Sequence, residues 1–304
     1  MRPSHARPRL TRSAIAEQVE GSTSVADLLA ESATSLRQGG IDDARAEARW
    51  LLCHLLNMTE SSLLAWPDAT IPDVQAARVR QAVRRRAAHE PFAYVVGERE
   101  FYGRPFKADR RVLVPRPETE TLVEEALAIL RARTKTTPGP SLVVDVGTGS
   151  GAIACTIASE ARSVRMVASD VSPDALDVAA VNRTRFRLQS RLELVRGSLL
   201  SWLREPADLV LANLPYIPST RIPTLMPEVA SWEPRLALDG GHDGLDLVRA
   251  LLADARRAVR PGGSVLLELD PEQMQPARTV IPDAESRVIR DLAGLDRVLR
   301  LDLP

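Results

Sequence analysis

Residues 141–151 have the sequence SLVVDVGTGSG, in which a short apolar run leads into three glycines at alternate positions. The apolar run predicts a buried β-strand, and the glycines predict a tight turn with positive φ angles. The apolar segment GAIACTIASE that comes next predicts a helix. A strand, a glycine turn and a helix in this order form the ligand-binding edge of an α/β sheet. We therefore expect a nucleotide-like ligand at this turn.

The spacing of the glycines separates the classes of ligand. Dinucleotide sites have the pattern G-x-G-x-x-G, whereas the pattern here is G-x-G-x-G; a Walker loop needs a lysine, and this turn has none. The next apolar run ends in an acid whose carboxylate can accept hydrogen bonds from both hydroxyls of a ribose. An NAD-dependent oxidoreductase stays an alternative. The candidate cofactor-binding residues of these two segments are Asp145, Gly147, Thr148, Gly149, Ser150, Gly151 and Asp170.

A second group of candidate residues follows the run ADLVLAN, which predicts a strand that ends at Asn213. The nitrogen of a primary amide or of an adenine amino group is a weak nucleophile, because its lone pair is delocalised. The Asn213 side-chain oxygen and the Leu214 carbonyl can accept its two N–H bonds, and Tyr216 can cover the planar group. We interpret Asn213, Leu214, Pro215 and Tyr216 as catalytic residues, with Asn213 also bordering the cofactor.

The pattern around these sites predicts two kinds of domain. Beyond residue 141, strands alternate with helices, which is typical of a parallel sheet covered on both faces, and the chain ends in a predicted antiparallel hairpin. Residues 22–90 have the apolar spacing of four or five short helices. Five of the eleven aromatic residues lie between Phe92 and Phe106, which indicates a hairpin or extended linker. Residues 131–140, RARTKTTPGP, are expected to be a linker.

The composition limits the classes of function. Forty basic and forty acidic residues balance, so the overall charge gives no sign of a protein that binds nucleic acid through its phosphates. Cys53 and Cys155 lie in apolar segments and are expected to be buried thiols, and the four histidines lack the spacing of a zinc site. No apolar run is long enough for a membrane span, and the N-terminus lacks the apolar centre of a signal peptide. We expect a cytoplasmic protein without a bound metal.

Several segments resemble known families. The pattern D-x-G-x-G-x-G with Asp170 resembles the class I S-adenosylmethionine-dependent methyltransferases, over roughly residues 141–270. Asn-Leu-Pro-Tyr resembles the N-P-P-Y motif of amide- and amino-directed methyltransferases, with Leu214 where those families usually have proline. The segments FYGRPFKADRRVLVPRPETETLVE and EVASWEPRLALDGGHDGLDLVRALL closely resemble the protein-(glutamine-N5) methyltransferases that modify release factors, the HemK/PrmC type. This last resemblance covers about residues 22–300.

The resemblance implies an α/β fold, a Rossmann-like seven-stranded sheet preceded by a small helical bundle. It implies S-adenosylmethionine as the cofactor, with S-adenosylhomocysteine as the product. The glycine turn would line the cofactor, Asp170 would hold its ribose, and Ser198 and Leu199 would lie near its adenine. Related proteins often have an aspartate and an aromatic residue at these last two positions. Arg116 and Glu118 are candidates for fixing the linker over the cofactor or for contact with the substrate, and a structural ion pair or helix cap is the alternative.

The implied substrate is the glutamine of the Gly-Gly-Gln motif of peptide chain release factors. We expect a flexible tail at 1–21, a helical substrate-recognition domain at 22–90, an aromatic-rich linker or hairpin at 91–117 and a catalytic domain at 118–304. A monomer without direct contact to nucleic acid or membrane is expected. The alternatives are an N6-adenine-type methyltransferase of DNA or RNA, and a binding homologue weakened in catalysis by Leu214.

Overall fold

The computed structural model describes residues 23–304. The flexible tail expected at 1–21 lies outside the described residues. The chain divides into two compact units between Val96 and Gly97. Each unit has a hydrophobic core of its own.

The first unit is helical. Apolar residues at helical spacing form its core, which includes Leu28, Leu51 and Val79, and the Ser24 side chain caps the first helix by accepting a hydrogen bond from the backbone N–H of Asp27. Two short strands pair antiparallel beside the helices. Its elements are β1 Thr23–Ser24, α1 Val25–Gln38, α2 Ala44–Leu56, α3 Glu60–Ala65, β2 Thr70–Ile71, α4 Asp73–Ala87 and α5 Phe92–Val96.

The second unit contains the strands and helices of an α/β sheet, preceded by a hairpin and by a 3-10 turn at Pro117–Thr119. Its strands are β3 Glu98–Phe101, β4 Arg104–Lys107, β5 Ser141–Val146, β6 Val164–Asp170, β7 Leu192–Arg196, β8 Ala207–Ala212, β9 Val259–Glu268, β10 Glu285–Arg290 and β11 Asp296–Asp302. Its helices are α6 Glu120–Thr136, α7 Ala152–Glu160, α8 Pro173–Arg185, α9 Pro227–Ala230, α10 Asp246–Ala258 and α11 Met274–Arg278.

The main sheet of the second unit has seven strands in the order β10-β11-β9-β8-β5-β6-β7. Strands β5 to β9 run parallel to one another, β11 pairs antiparallel with β9, and β10 and β11 form the antiparallel hairpin that the sequence predicts at the chain end. Alternate residues of β5 point into two different cores: Val143 packs with α6 and α7, whereas Val144 packs with α10 and α11. Both faces of the sheet are therefore covered, and the predicted fold class is confirmed.

Three of the five aromatic residues before the sheet, Phe101, Tyr102 and Phe106, lie in a hairpin of β3 and β4. Phe101 and Phe106 meet edge to face at 5.9 Å between ring centroids, and both are buried in the core that contains α7. Asn182 on α8 fixes the hairpin, because its side chain accepts a hydrogen bond from Lys107 N at 2.8 Å and donates one to Lys107 O at 3.1 Å. The same side-chain nitrogen donates to Ser150 O at 2.8 Å, so one buried amide joins the hairpin to the glycine turn.

Two segments differ from the sequence-based expectation. Residues 131–136, expected to belong to a linker, continue α6 to Thr136, because alanine, arginine and lysine are good helix formers and the break comes only at Pro138. Residues 92–96, expected to be part of a hairpin or linker, form the short helix α5.

Within residues 23–304, no helix combines the length and the apolar character needed to cross a bilayer. In the same part of the chain, no cluster of three or more histidine, cysteine or acidic side chains has the arrangement of a metal site. Cys155 is buried and Cys53 is half-buried, and neither forms a disulfide.

Asp208, at the start of β8, joins three elements in the interior of the second unit. Its carboxylate accepts a hydrogen bond from Leu142 N of β5 at 2.7 Å and one from Arg133 of α6 at 2.6 Å. Asp208 is 3% exposed. Removal of this carboxylate leaves the buried Leu142 N–H without an acceptor and the Arg133 guanidinium without its anionic partner.

We expect Asp208→Ala to lower the free energy of unfolding by about 2–4 kcal/mol. Glu205→Ala is a matched control, because Glu205 also binds two arginines but lies at the surface, where ion pairs contribute little. Urea unfolding followed by circular dichroism measures both. An equal loss in the two variants would contradict the structural role assigned to Asp208.

Candidate active site

The turn after β5 is built from backbone that only glycine adopts readily. Gly147, Gly149 and Gly151 have φ angles of +71°, +56° and +78°. A Cβ atom at residue 151 would lie 3.2 Å from the Ala179 Cβ atom, so a side chain there would push the turn away from α8. A Cβ at residue 149 would meet no atom within 4 Å, because this glycine borders an open cavity.

Asp170 ends β6 and faces the glycine turn. One carboxylate oxygen accepts a hydrogen bond from Gly149 N at 2.9 Å, and the other accepts one from Ser172 N at 2.9 Å. These bonds fix the plane of the carboxylate at the wall of the cavity. Each oxygen keeps lone-pair capacity for a further donor, which is what the two hydroxyls of a ribose require.

Asp145 lies beneath the turn and does not line the cavity. It is 0% exposed, and one of its oxygens accepts a hydrogen bond from the Thr148 hydroxyl at 2.6 Å. Burial raises the pKa of Asp145 to about 7, against the opposing effect of the Thr148 hydrogen bond. Its contact in this structure is thus with the inner side of the turn.

A second turn, at residues 197–199 after β7, forms the neighbouring wall. Gly197 N donates to Asp170 O at 3.0 Å, which places this turn beside the end of β6. The Trp202 ring lies against Gly197, where a Cβ would be only 2.2 Å from Trp202 Cδ1, and the ring N–H donates to Leu199 O at 2.9 Å. Ser198 and Leu199 both line the cavity.

The segment after β8, residues 213–216, is held in place by the Gln273 side chain and by close contacts with the backbone of two glycines. The Gln273 amide donates to Tyr216 O at 2.8 Å and to Asp243 O at 3.1 Å. Glycines at 240 and 244 allow close approach, since a Cβ there would lie 2.6 Å from Pro215 O and 2.1 Å from Tyr216 O. Tyr216 is half-buried, and burial raises the pKa of its hydroxyl to about 12.

Asn213 and the segment 115–119 form the remaining wall. The Asn213 side-chain nitrogen donates to the Thr119 hydroxyl at 3.2 Å. Arg116 forms an ion pair with Glu233 at 2.7 Å, and burial raises the pKa of Glu233 to about 7 although Arg116 opposes the rise. Arg116 lines the cavity and Glu118 does not. The ion pair corresponds to the structural alternative expected for Arg116.

These walls enclose a cavity of about 360 Å³, within the range of small-molecule sites. The structure brings together most of the predicted catalytic and cofactor-binding residues, and three of them, Asp145, Gly151 and Tyr216, lie outside the cavity wall. Those that line it are Gly147, Thr148, Gly149, Ser150, Asp170, Ser198, Leu199, Asn213, Leu214 and Pro215.

The cavity suits an adenosine-type cofactor that carries no phosphate. A carboxylate, Asp170, stands beside the glycine turn, where it would repel a phosphate but accept from hydroxyls. Val171 and Leu199 give apolar surface close by for a base. The two cations of the wall are already paired, Arg111 with Asp109 at 2.8 Å and Arg116 with Glu233.

The sheet order and this site define a class I S-adenosylmethionine-dependent methyltransferase. Residues 27–97 match the PrmC N-terminal domain family, and residues 143–232 match the methyltransferase domain family. The release factor glutamine methyltransferase of Cereibacter sphaeroides is 40% identical over 282 residues, which cover 92% of this chain and 98% of the relative. That of Moorella thermoacetica is 41% identical over 274 residues, or 88% and 95%. The chain belongs to the release factor glutamine methyltransferase family.

A solved structure supports the fold. The hMettl16 catalytic domain, crystallised with MAT2A 3'UTR hairpin 6, matches with a TM-score of 0.53 over 76% of this chain and 82% of that chain. The sequence identity is 14%, so this similarity concerns the fold alone.

Several site residues did not emerge from the sequence. Gln273, Asn182 and Glu268 are single polar residues inside elements whose pattern indicates only a helix or strand, and their partners are backbone groups or residues far along the chain. Thr119, in the 3-10 turn before α6, is likewise absent from the predicted site residues. A buried polar residue in an otherwise apolar run, as Glu268 is in SVLLELD, is the one signal that could have marked such a position.

We expect Asp170→Ala to weaken binding of S-adenosylmethionine by about tenfold or more, because hydrogen bonds to a charged acceptor contribute about 1.5–3 kcal/mol. Isothermal titration calorimetry measures the affinity. Asp174→Ala is the control, since Asp174 is an exposed acid in the first turn of α8 that does not line the cavity. Unchanged affinity in Asp170→Ala would remove Asp170 from the cofactor site.

The raised pKa of Asp145 gives a pH dependence of stability. In the folded chain this carboxyl stays protonated up to about pH 7, whereas in the unfolded chain it ionises near its ordinary value of 3.8. Between these values the folded state binds more protons, so the free energy of unfolding falls as the pH rises.

Asp145→Asn removes this contribution. Relative to the wild type, the variant should gain about 2–4 kcal/mol of stability as the pH rises from about 5 to about 8. Urea unfolding of both proteins at several pH values measures the difference. Parallel stability curves across this range would show that Asp145 titrates normally.

Proposed function

We propose that this enzyme transfers a methyl group from S-adenosylmethionine to the side-chain amide nitrogen of the glutamine in the Gly-Gly-Gln motif of peptide chain release factors. The observation that carries the proposal is the position of Asn213 beside the glycine turn. Val146 pairs with Ala212 in adjacent parallel strands, so Gly147 and Asn213 follow side by side at one edge of the sheet. The names of the relatives supply the release factor and its glutamine.

The target nitrogen needs acceptors more than it needs a base. Its lone pair is delocalised into the amide, and the two N–H bonds must be held so that the lone pair faces the methyl donor. The Asn213 side-chain oxygen and the Leu214 carbonyl oxygen hold these two protons. Orientation of this kind contributes up to about 7–11 kcal/mol in favourable cases. No strong base is required, because the nitrogen-bound proton becomes acidic after methylation.

The glycine turn and the β6 and β7 ends hold the cofactor in this proposal. Gly147 to Gly151 lie along it, Asp170 accepts from its ribose, and Ser198 and Leu199 border its adenine. When bound, the cofactor supplies a methyl group made electrophilic by a positively charged sulfur. Asp145 acts from beneath by fixing Thr148.

Leucine at position 214 is compatible with this role. The backbone carbonyl is the same as that of a proline, and the side chain is 6% exposed. One of its methyl groups lies 3.1 Å from the position that a Cβ of residue 147 would occupy. The leucine therefore packs the strand end against the glycine turn, which replaces part of the rigidity that a proline gives the loop.

Tyr216 lies outside the cavity wall in this structure. Its proposed role, to cover the planar amide of the substrate, therefore requires the loop after β8 to move when substrate binds.

We assign recognition of the release factor to the helical unit, for which the sequence predicts residues 22–90. The proposed enzyme works as a monomer, in the cytoplasm, where release factors act on ribosomes.

The test is a methylation assay with purified release factor and S-adenosylmethionine, followed by peptide mass spectrometry. We expect the mass of one methylene group to be added at the glutamine of the Gly-Gly-Gln motif. Asn213→Ala should lower kcat by about 100-fold or more, because one of the two acceptors is lost, with cofactor affinity nearly unchanged.

Two controls define the outcome. A release factor with asparagine in place of this glutamine should stay unmodified, and a DNA duplex offered instead should accept no methyl group. Modification of DNA alone would replace the proposal by an amino-methyltransferase of adenine. Full activity of Asn213→Ala would refute the acceptor role.

A further inference from the structure

The contacts of the Asn213 side chain show how its two ends are distinguished. Its nitrogen donates to the Thr119 hydroxyl at 3.2 Å. Thr119 is 5% exposed and belongs to the 3-10 turn that precedes α6. Asn213 lines the cavity, and its side-chain oxygen is the polar atom that remains available to a ligand there.

Glu268 stands next to this pair. Ala212 pairs with Leu267 in adjacent parallel strands, so Asn213 and Glu268 follow side by side at the ends of β8 and β9. Glu268 is 2% exposed, and its Oε2 atom has no hydrogen-bond partner within residues 23–304. The Thr119 hydroxyl lies close enough to the Glu268 carboxyl to counteract the rise of the Glu268 pKa, and it can donate its proton to that carboxyl.

A hydroxyl has one proton, and this fixes the direction of the chain of hydrogen bonds. An ionised carboxylate can only accept, so a Thr119 hydroxyl that bonds to both groups donates to Glu268 and accepts from Asn213. Only the NH2 end of an asparagine can donate. The carboxylate therefore decides, through one hydroxyl, which end of the Asn213 amide faces Thr119.

The reverse orientation would disable the site. With its oxygen toward Thr119, Asn213 would present NH2 to the NH2 group of the substrate glutamine. Two donors cannot bond to each other, so one of the acceptors that hold the target nitrogen would be lost. Resting on the proposed acceptor role of Asn213, we propose that Thr119 and Glu268 are positioning residues that keep the Asn213 oxygen directed at the substrate amide.

The protonation state of Glu268 controls this arrangement. Burial raises the pKa of Glu268 to about 7. The charged or titratable groups that face it are Arg297 on β11, Arg116 and Glu118 before α6, and Tyr216 after β8. A protonated Glu268 can donate to Thr119, whose proton is then free to turn toward Asn213 and stabilise the reversed amide.

Thr119→Val tests the hydroxyl, because valine has nearly the same shape but neither donates nor accepts. We expect kcat on release factor to fall by about 10- to 100-fold, since misorientation of a reacting group has effects of this size. The affinity for S-adenosylmethionine and the KM for release factor should change by less than about threefold. Thr119→Ser, which keeps the hydroxyl, should restore most of kcat.

Glu268→Gln tests the direction of the chain. A glutamine can donate or accept at every pH, so both orientations of Asn213 become accessible. In the wild type, kcat should rise between about pH 6 and about pH 8 as Glu268 ionises. Glu268→Gln should have a reduced kcat at pH 8, and this rise should be absent.

Thr156→Val is the matched control, because Thr156 is another fully buried threonine of the same unit, bonded only to the Ala152 carbonyl at 2.7 Å. It should keep kcat and its pH profile. Wild-type kcat in Thr119→Val, or the wild-type pH profile in Glu268→Gln, would overturn the inference. A wild-type enzyme that leaves release factor unmodified would instead refute the proposed function, so the two failures are distinguishable.

Discussion

The site depends on a constraint of backbone geometry at the end of β5. Three residues of one short turn have positive φ angles, which other residue types adopt only with strain. The turn thereby directs Gly149 N at the Asp170 carboxylate and leaves open space above Gly149. The walls contributed by β6 and β7 are placed relative to this turn, because Asp170 bonds to the turn through its side chain and to Gly197 through its backbone.

Parallel strand pairing also places the residues proposed to hold the substrate amide beside the glycine turn. In a parallel sheet all strands end at the same edge, so residues distant in sequence become neighbours without any need for a flexible loop. The ends of β5, β8 and β9 supply the glycine turn, Asn213 and Glu268 in consecutive positions. Few hydrogen bonds hold the polar groups at this edge, one for the Asn213 side chain and two for the Asp170 carboxylate, so each bond has a large effect on orientation.

The sequence was sufficient for the fold class and for most of the cavity wall, because these follow from local patterns: an apolar run, a glycine spacing and an acid at the end of the next run. It was not sufficient for Gln273, Asn182 or Glu268, whose partners lie in other elements. It also placed Asp145 and Tyr216 in the site without distinguishing the cavity wall from the layer behind it. Burial depends on the packing of whole elements, which residue type and spacing do not contain. The extension of α6 through Thr136 has a different origin, since helix propensity is a local property that the sequence does contain, and it continued where composition indicated a linker.

The three hydrogen bonds of Asn182 give the molecule a mechanical link. One carboxamide connects the end of β4 to Ser150 in the glycine turn, with no exposure to solvent. A ligand that displaced Ser150 in the glycine turn would therefore also displace the hairpin of β3 and β4, because the Asn182 side chain bonds to both. A homologue with another residue at position 182 would need new hydrogen-bond partners both for the backbone of Lys107 and for Ser150 O. This requirement restricts how the segment before the catalytic sheet can vary.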